Sequence, residues 1–262
     1  MITKVVIAAA GQGTRMLGLS KDKSKHLICV QNRPFLAYLM DNLVVAGYSD
    51  IILVVGFKKE LMEDFKNNYL QCSKAAKDFG IEKIKIQIVD QYEILGPKEE
   101  EYGTACPVKC VKDIVGSDGF IYVYGDNLFS VEDLKSMNIS DEFCYIAGLK
   151  QEHPEKYGVL IEDGDDFLEM IIEKPKEFVG DLINDGLYKF TSEVFEKISL
   201  IQKSSRGEYE ITDAISLLAK EKKVKIKKIK DYWHDFGNPA DVEKLSNFIK
   251  NGCRKIEPEG NK

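Results

Sequence analysis

Four apolar runs, separated by segments of helical period, dominate the first half of the sequence. They are KVVIAAA at 4–10, IILVVG at 51–56, IKIQIVD at 84–90 and FIYVYGD at 120–126. Each run is nearly continuous in Val, Ile and aromatic residues, which is typical of strands buried on both faces. The intervening segments with helical spacing lie at 34–47, 58–70 and 104–116. This alternation predicts a doubly wound, mainly parallel α/β sheet.

The second half of the chain has shorter apolar runs separated by charged turns. The runs lie at 143–149, 157–163, 166–173 and 186–190, and amphipathic segments follow at 192–201, 210–221 and 239–250. Short runs joined by turns such as DG are typical of hairpins, so we expect a mixed sheet followed by helices. Because no Pro/Ser-rich linker and no internal repeat interrupts the sequence, we predict one domain with a lid-like second half.

Charge and composition limit the partners of the chain. The formal net charge of −6 argues against a surface dedicated to nucleic acid or to an anionic membrane. The VVIAAA run is too short for a signal peptide, and no run approaches the roughly 18 apolar residues of a membrane helix. Scattered cysteines suit reduced, buried thiols, and Cys106 and Cys110 lack the second pair that a zinc site needs. We therefore expect a soluble, cytoplasmic protein.

Glycines and polar residues follow three of the predicted strands at the point where each strand ends. The first strand leads into AAGQGTR, the third into Asp90 and Gln91, and the fourth into GDN at 125–127. The ligand crevice of an open parallel sheet lies outside the carboxyl ends of its strands. We therefore predict one site at this edge, formed by a glycine-rich turn, an amide and a carboxylate.

The turn after the first strand has the composition of a phosphate cradle. Gly11 and Gly13 permit close backbone approach, and Arg15 adds a bidentate cationic donor. Two familiar phosphate motifs do not fit, because Met16 stands at the third glycine of G-x-G-x-x-G and Leu19 at the lysine of the P-loop. A glycine turn that only joins a strand to the next segment stays an alternative at this point.

Lysines and aspartates complete the predicted anion site. Lys21, Lys23 and Lys25 follow the turn, and only Lys25 leads directly into the apolar LICV segment. We therefore expect Lys25 to be anchored near the site while the other two lysines face water. Asp126 at the end of the fourth strand is a natural Mg²⁺ ligand, and Asp235, in the predicted turn WHDFGNP, offers a second carboxylate.

Taken together, these motifs resemble those of the sugar-1-phosphate nucleotidylyltransferases, in particular the glucose-1-phosphate uridylyl- and thymidylyltransferases. AAGQGTRM is similar to the family's G-x-G-T-R-[LM] signature, and SKHLICV to its P-K-x-L-x-P-V segment. YGTA resembles a G-T-A segment at a helix start, GDN a metal-binding strand end, KYGVL and IIEKP a sugar pocket, and HDFGNP a second metal turn. The resemblance implies a nucleotide-diphospho-sugar transferase fold, in which a Rossmann-like sheet carries an inserted, sugar-binding β-rich lid.

The resemblance also implies roles for individual residues. The chain would divide into a nucleotide-binding half at 1–130, a sugar-binding half at 131–252 and a tail at 253–262. The implied catalytic residues are Arg15 and Lys25, which would neutralise the triphosphate of an NTP, and Asp126 and Asp235, which would bind Mg²⁺ as the cofactor. The implied nucleotide-binding residues are Ala10, Gly11, Gly13, Thr14, Arg15, Gln91, Gly103 and Thr104, and the implied residues for the sugar 1-phosphate are Gly158, Glu173, Lys174 and Asn184.

The sequence departs from the family pattern in places. Ser24 and Cys29 stand where the family usually has prolines, which would leave the loop of Lys25 less rigid. The segment YEILGPKEEEY at 92–102 is longer and more acidic than the usual connection, which weakens the assignment of Gln91 to the base. No β-helix repeat follows the matched region, so we expect no acetyltransferase domain of the kind that bifunctional relatives carry.

Alternatives stay open for some of these residues. Glu173 and Lys174 can also be an ordinary charged strand end, and Asn184 a turn residue before DGLY. The implied reaction joins UTP or dTTP to a hexose 1-phosphate, glucose 1-phosphate first, with release of pyrophosphate. Transfer to mannose 1-phosphate or choline phosphate, or a regulatory module that binds a nucleotide without catalysis, are the alternatives. A nicotinamide-dependent oxidoreductase is disfavoured by VVGFKKE, which places lysines where an acidic residue is needed. Whether the chain forms a homo-oligomer stays open.

Overall fold

The centre of the fold is built from β-strands. The computed structural model describes residues 1–11, 13–20, 24–56 and 59–252, with the side chains of Thr14, Leu17 and Ser20 outside that description. The strands within these ranges are β1 Lys4–Ala9, β2 Cys29–Val30, β3 Arg33–Pro34, β4 Asp50–Val55, β5 Lys85–Asp90, β6 Phe120–Tyr124, β7 Asn127–Phe129, β8 Cys144–Lys150, β9 Gly158–Glu162, β10 Leu168–Glu173, β11 Leu182–Phe190, β12 Val224–Lys228 and β13 Trp233–Asp235. The four apolar runs of the first half correspond to β1, β4, β5 and β6.

Helices connect these strands and cover both faces of the sheet. The α-helices are α1 Phe35–Val45, α2 Lys59–Cys72, α3 Lys74–Phe79, α4 Gln91–Leu95, α5 Cys106–Lys109, α6 Lys112–Val115, α7 Val131–Ser136, α8 Glu193–Ile198, α9 Ile211–Lys220 and α10 Pro239–Lys250. Short 3₁₀ turns lie at Thr14–Ser20, Lys25–Leu27, Ile81–Lys83 and Pro154–Lys156. None of the helices within the described ranges is both long and apolar enough to cross a membrane.

Among the described residues, nine strands form one mixed sheet. Its main path runs β10-β9-β11-β6-β1-β4-β5, and β8 pairs with both β11 and β12. Strands β6, β1, β4 and β5 are parallel, with Val5 opposite both Ile51 and Ile121. The order β5-β4-β1-β6 means that the chain leaves β1 on one side and returns on the other, so the topological switch point lies between β1 and β6. The predicted Rossmann-like, doubly wound, mainly parallel central sheet is confirmed.

The second half is built onto the same sheet. Strand β11 is antiparallel to β6, with Leu187 opposite Val123, and its earlier residues pair with β8 and β9. The pairing of β11 with β8 shifts register between Asn184 and Tyr188, which is the irregularity that a bulge produces. Strands β9 and β10 form the predicted hairpin around the Asp163-Gly164 turn. The β-rich lid is therefore an extension of the central sheet.

Two hydrophobic clusters, one on each face of the sheet, form the core. Val5 and Ile7 of β1 pack in the cluster that contains Phe35 of α1, whereas Val6 packs in the cluster that contains Val108 of α5. Successive residues of a strand point to opposite faces, which explains this division. Complete burial of an aliphatic side chain contributes about 1.5–3 kcal/mol, so a strand buried on both faces is strongly favoured.

One predicted helix is divided in two. The segment 104–116 forms α5 and α6, and Val111 between them has φ −106° and ψ 5°. Val111 is completely buried in the core, so its packing position, rather than helix propensity, sets the local backbone. Cys106 and Cys110 remain one turn apart, because the Cys110 N–H donates to the Cys106 carbonyl at 3.0 Å. Burial raises the pKa of each thiol to about 12, which keeps both cysteines protonated.

Candidate active site

A cleft with two compartments lies at the carboxyl ends of β1 and β6. The wide compartment, about 440 Å³, is lined by Gly11, Gly13, Arg15, Lys25, Lys98, Tyr102, Tyr124, Asp126, Asn127, Tyr157, Asn184, Asp185, Gly186, Arg206, Glu208, Trp233, Asp235 and Gly237. The narrow compartment, about 280 Å³, is lined by Ala8, Ala10, Gly11, Arg15, Lys25, His26, Gln91, Tyr102, Gly103, Thr104, Pro107, Tyr122, Tyr124, Asp126 and Glu208. The cleft is therefore at the switch point, where the sequence predicted a site.

The two compartments share a set of charged, aromatic and glycine residues. The residues that line both compartments are Gly11, Arg15, Lys25, Tyr102, Tyr124, Asp126 and Glu208. The narrow compartment is lined by residues of the first half together with Glu208, whereas second-half residues such as Asn184 supply much of the wide one. Arg15 and Lys25 at the junction suit a ligand that spans both compartments with its anionic part in the middle.

The side chain of Lys25 packs against the glycine turn at Gly11 and Gly13. Gly13 has φ +64°, a left-handed conformation that glycine adopts at low cost, and a Cβ built on it would lie 2.8 Å from Lys25 Cβ. Gly11 also lies beneath this side chain, with an added Cβ 3.7 Å from Lys25 Cε. The Lys25 side chain therefore lies against the glycine turn, and its role in a ligand site stays a prediction. Lys21 and Lys23, together with the side chain of Thr14, lie outside the described residues.

Lys25 and Asp126 form an ion pair in the centre of the cleft. Lys25 Nζ donates to Asp126 Oδ2. Burial alone would raise the pKa of Asp126, but the Lys25 ammonium lowers it below its ordinary value, so this carboxylate is ionised. The neighbouring His26 is buried, and desolvation together with the Lys25 charge lowers its pKa to about 3. Neutral His26 shares a hydrogen bond of 2.7 Å between its Nδ1 and Ser24 Oγ.

Asp235 reaches the same cleft through a short strand pair. Strand β13 is antiparallel to β7, with Asp235 opposite Asn127, and the Phe236 N–H donates to the Asp126 carbonyl at 2.8 Å. The Phe236 ring stacks on Phe35 of α1 at 4.3 Å, which anchors this turn to the core. The interpretation of 233–235 as part of a turn is wrong: these residues form β13, because β7 offers a free edge.

The two aspartates influence each other electrostatically. Asp235 is exposed at the cleft, but partial desolvation by the surrounding walls and the negative charge of Asp126 raise its pKa to about 6, against the opposing effect of Lys25 and Arg15. Within the described ranges, no group of three or more His, Cys, Asp or Glu side chains could hold a metal ion. A pair of carboxylates beside a phosphate site nevertheless fits Mg²⁺, which takes one or two carboxylates and completes its shell with phosphate oxygens and water.

The narrow compartment contains an amide with unused hydrogen-bonding capacity. Gln91 begins α4 and is only 1% exposed, yet its Nε2 and Oε1 find no hydrogen-bond partner among the described residues. Buried polar groups are rarely left unpaired, so a ligand with both an acceptor and a donor fits here. Ala8 of β1 and Ala10, just after its end, also line this compartment, and their small side chains leave space in it.

The loop 102–105 closes the narrow compartment by joining the second half of the chain. Gly103 has φ +134°, and a Cβ built on it would lie 2.3 Å from the Tyr209 carbonyl oxygen, so this position requires glycine. The Ala105 N–H donates to that carbonyl at 2.9 Å. The Thr104 hydroxyl accepts from the Ile211 N–H at 2.9 Å. Gly103 and Thr104, which were both predicted to bind the nucleotide, line the compartment and also hold the loop in place.

The predicted sugar residues lie in two different positions. Asn184 lines the wide compartment, and its Oδ1 accepts from the Gly186 N–H at 3.2 Å. Gly158 pairs with Glu173 across the β9–β10 ladder, where a Cβ on Gly158 would lie 3.0 Å from Glu173 Oε2. Glu173 and Lys174 are exposed, and neither lines the described walls of the cleft. Lys174 follows β10 with its N–H donating to the Tyr157 carbonyl at 2.9 Å.

Comparison with known proteins identifies the family of the chain. The family model for nucleotidyl transferases matches residues 4–252 of the chain. The chain belongs to the nucleotidyl transferase family. The resemblance to sugar-1-phosphate nucleotidylyltransferases that the motifs indicated is thereby confirmed.

Curated members of the nucleotidyl transferase family cover most of this chain. This chain is 32% identical over 240 residues to a bifunctional sugar-1-phosphate nucleotidylyltransferase/acetyltransferase of Sulfurisphaera tokodaii. The aligned region covers 91% of this chain and 53% of the relative. It is 29% identical over 255 residues to the UTP–glucose-1-phosphate uridylyltransferase AglF of Haloferax volcanii, covering 94% and 96%. The chain spans about half the length of the bifunctional relatives it matches.

Solved structures share the fold of this nucleotidyl transferase. A UDP-glucose pyrophosphorylase complexed with UDP-glucose superimposes with a TM-score of 0.81 at 24% identity, over 96% of this chain and 100% of the other. At this level of identity the similarity shows the fold alone. It confirms the nucleotide-diphospho-sugar transferase type of sheet that the motifs implied.

Several residues that line the wide compartment were not predicted from the sequence. They are Tyr157, Arg206, Trp233 and, from the acidic segment 92–102, Lys98 and Tyr102. The Trp233 ring packs edge-on against Tyr157 at 5.6 Å, and its Nε1 finds no hydrogen-bond partner among the described residues. The sequence could have indicated Tyr157 and Trp233, because they lie within the motifs KYGVL and WHDFGNP, next to predicted site residues. Arg206 lies in a loop outside the recognised motifs.

Proposed function

We propose that the chain transfers a nucleotidyl group from UTP or dTTP to a hexose 1-phosphate, glucose 1-phosphate first, and releases pyrophosphate. The observation that carries the proposal is the meeting of two compartments at Arg15, Lys25 and Asp126. A reaction between two phosphate-containing substrates needs one place where both phosphates lie, with cations to offset their repulsion. The name of the Haloferax relative, which the chain matches along nearly its whole length, supports the choice of substrates.

The narrow compartment suits the base and ribose of the nucleotide. The unpaired amide of Gln91 can donate to and accept from the edge of a pyrimidine, which presents a carbonyl oxygen and an N–H. The glycine turn at its entrance offers close backbone approach for the triphosphate, and Arg15 is exposed beside it. The small side chains of Ala8 and Ala10 leave a slot for a flat ring.

The wide compartment suits the hexose 1-phosphate. Asn184 and the aromatic residues Tyr157 and Trp233 offer polar groups and ring surfaces for a sugar. The guanidinium of Arg206 offers a bidentate donor for the phosphate on the same side. Because Asp126 and Lys25 line both compartments, the phosphate of the sugar can approach the α-phosphate of the nucleotide there.

Catalysis in this arrangement requires orientation and charge stabilisation. An oxygen of the sugar phosphate, ionised at neutral pH, attacks the α-phosphorus; the new phosphorus–oxygen bond forms as the bond to pyrophosphate breaks, and no proton has to move. Lys25 and Arg15 stabilise the negative charge on the α-phosphate and on the leaving pyrophosphate. Binding in two compartments turns an encounter between anions into a reaction within one complex.

Magnesium is part of the proposal through the chemistry of Asp126 and Asp235. When bound, the ion would supply positive charge to phosphate oxygens. In the structure Asp126 pairs with Lys25, so the ammonium group lies where the proposed Mg²⁺ would contact this carboxylate. With Asp126 and Asp235 holding Mg²⁺, the Lys25 ammonium would be available to a phosphate oxygen.

A pyrophosphate-release panel tests the proposal. UTP, dTTP, CTP, ATP and GTP are each combined with glucose 1-phosphate, mannose 1-phosphate, an N-acetylhexosamine 1-phosphate and choline phosphate, with and without Mg²⁺. We expect the highest kcat/KM for UTP or dTTP with glucose 1-phosphate. Turnover of another acceptor would reject the assigned sugar, and nucleotide binding without turnover of any pair would support the non-catalytic module instead.

A further inference from the structure

Glu210 is a buried carboxylate whose two oxygens bond to different parts of the cleft. It is the residue before α9 and is only 7% exposed. Its Oε1 accepts from Arg206 at 2.7 Å and from the Ser204 hydroxyl at 3.2 Å. Its Oε2 accepts from the Thr104 hydroxyl at 3.3 Å. A carboxylate at this position is also favoured by the amino end of the α9 dipole.

Arg206 lies on the wide side of the cleft only. It lines the wide compartment together with Asn184 and Trp233, and it is absent from the described walls of the narrow compartment. Its side chain is 58% exposed, so an ion pair with an equally exposed partner would hold it weakly. Glu210 is a different kind of partner, because burial and the two hydroxyl donors fix its carboxylate before Arg206 is added.

Thr104 connects this ion pair to the narrow compartment. Its hydroxyl donates to Glu210 and accepts from the Ile211 N–H. Two backbone bonds reinforce the connection, from the Tyr209 N–H to the Tyr102 carbonyl at 2.8 Å and from the Ala105 N–H to the Tyr209 carbonyl at 2.9 Å. The loop 102–105 and the segment 204–211 are therefore one hydrogen-bonded unit that borders both compartments.

We propose that Glu210 is a positioning residue for the acceptor phosphate. It holds the Arg206 guanidinium at the wall of the wide compartment and ties it, through Thr104, to the loop that borders the nucleotide side. This inference rests on the proposed function for the identity of the acceptor. It adds a residue that touches neither substrate and acts through Arg206.

Equilibrium binding tests the inference without turnover. Trp233 is the only tryptophan of the chain and lines the wide compartment, so its fluorescence reports occupation of that side. Glucose 1-phosphate and inorganic phosphate are titrated by fluorescence, and UTP by calorimetry. We expect Glu210→Gln to raise the Kd of both phosphate probes about tenfold and the Kd of UTP by less than about twofold, since one charge-assisted contact becomes misaligned.

A double-mutant cycle separates positioning from a general structural effect. Arg206→Ala should raise the same Kd values, and Glu210→Gln should add less than about twofold in that background, because its effect passes through Arg206. Asp213→Asn is the matched control: Asp213 is an exposed acidic residue in the first turn of α9, and its replacement should leave all Kd values unchanged. If Glu210→Gln does not fold, Glu210→Asp keeps the charge and withdraws it by one methylene, and the same phosphate-specific effect is expected.

Three outcomes would overturn the inference. They are equal loss of phosphate and UTP affinity in Glu210→Gln, multiplicative losses in the double variant, and a wild-type protein whose wide compartment binds no phosphate probe. Binding of inorganic phosphate but not of glucose 1-phosphate, with the cycle as expected, would instead reject the assigned acceptor and retain the role of Glu210.

Discussion

Replacing Asp126 and Asp235 by Asn, singly and together, tests whether the two carboxylates serve one magnesium ion. Asp235 ends β13 and Asp126 immediately precedes β7; these strands are paired, and the Phe236 N–H donates to the Asp126 carbonyl, so the two backbones lie about 4.8 Å apart, the spacing of adjacent strands. Two oxygens that share one Mg²⁺ can be at most about 4.2 Å apart, because each bond is about 2.1 Å long. Side chains on adjacent backbones can meet this requirement.

The size of the combined effect decides between one shared ion and two separate roles. Loss of one preorganised charge at a reacting phosphate costs about 10²–10³ in kcat. Independent roles would multiply to about 10⁴–10⁶ in the double variant, whereas residues that act as a unit should leave the double variant near the single ones. The assay is pyrophosphate release at saturating substrates over a range of Mg²⁺ concentrations, with Asp165→Asn, an exposed aspartate in the β9–β10 turn, as the control.

Thermal melting in the absence of metal shows whether a variant lost activity because it lost stability. Asp235→Asn should keep the wild-type Tm within about 4 °C, the shift that 1 kcal/mol produces in a chain of this size. Asp126→Asn removes the partner of the mostly buried Lys25, so a lower Tm is expected for that variant alone. Multiplicative losses in kcat, or nearest carboxylate oxygens more than about 4.2 Å apart in a magnesium complex, would refute the shared ion.

Three further replacements test other parts of the site. Lys25→Ala should lower kcat about 10²-fold or more, while Lys220→Ala, at an exposed lysine of α9, should not; equal activity of the two variants would remove Lys25 from the mechanism. Glu173 is exposed and lies outside the described walls of the cleft, so it contributes only if it accepts sugar hydroxyls in the complex. In that case Glu173→Ala should raise KM for the sugar phosphate much more than KM for the nucleotide, whereas no effect beyond that of Glu169→Ala on the same strand would remove Glu173 from the sugar site. Asp185→Asn should raise Tm at pH 8 by a few degrees, since 1 kcal/mol corresponds to about 2–4 °C. Burial raises the pKa of Asp185 well above its ordinary value, so its stabilising contribution is complete at low pH and is lost as pH rises through the raised pKa. The difference in Tm should therefore shrink towards pH 5, and a pH-independent difference would contradict this explanation.

The long strands and the cleft position could be predicted because they depend on local patterns. Runs of Val and Ile mark β1, β4 and β6, and the topological rule for parallel sheets then places the site. Strands β7 and β13 were missed because each has three residues and exists only through pairing with the other. The turn interpretation of Trp233–Asp235 failed for that reason, although the sequence correctly indicated that Asp235 returns to the cleft.

The sequence motifs indicated the residues at the junction better than those at the rim. Lys25 and Asp126 stand beside recognisable glycine motifs and lie together in the structure. Arg206 and Lys98 come from connecting loops, where no periodic pattern constrains position, and only the tertiary fold shows that they line the cleft. Thr104 lies in a motif that was recognised in the sequence, but its structural role could not be predicted. Its hydrogen bonds to Glu210 and Ile211 depend on a segment more than a hundred residues away.

Strand β11 has a consequence for how the chain can move. Its last residues pair with β6 of the first half on one side and with β8 on the other, while its earlier residues pair with β8 and β9 of the second half. A rigid-body swing of the lid about a hinge would have to break this continuous ladder, so such domain closure is disfavoured. Adjustment to substrates is then confined to the loops at the cleft rim, and exchange broadening in relaxation-dispersion NMR should be concentrated in the segments 96–104 and 202–209, with β11 quiet.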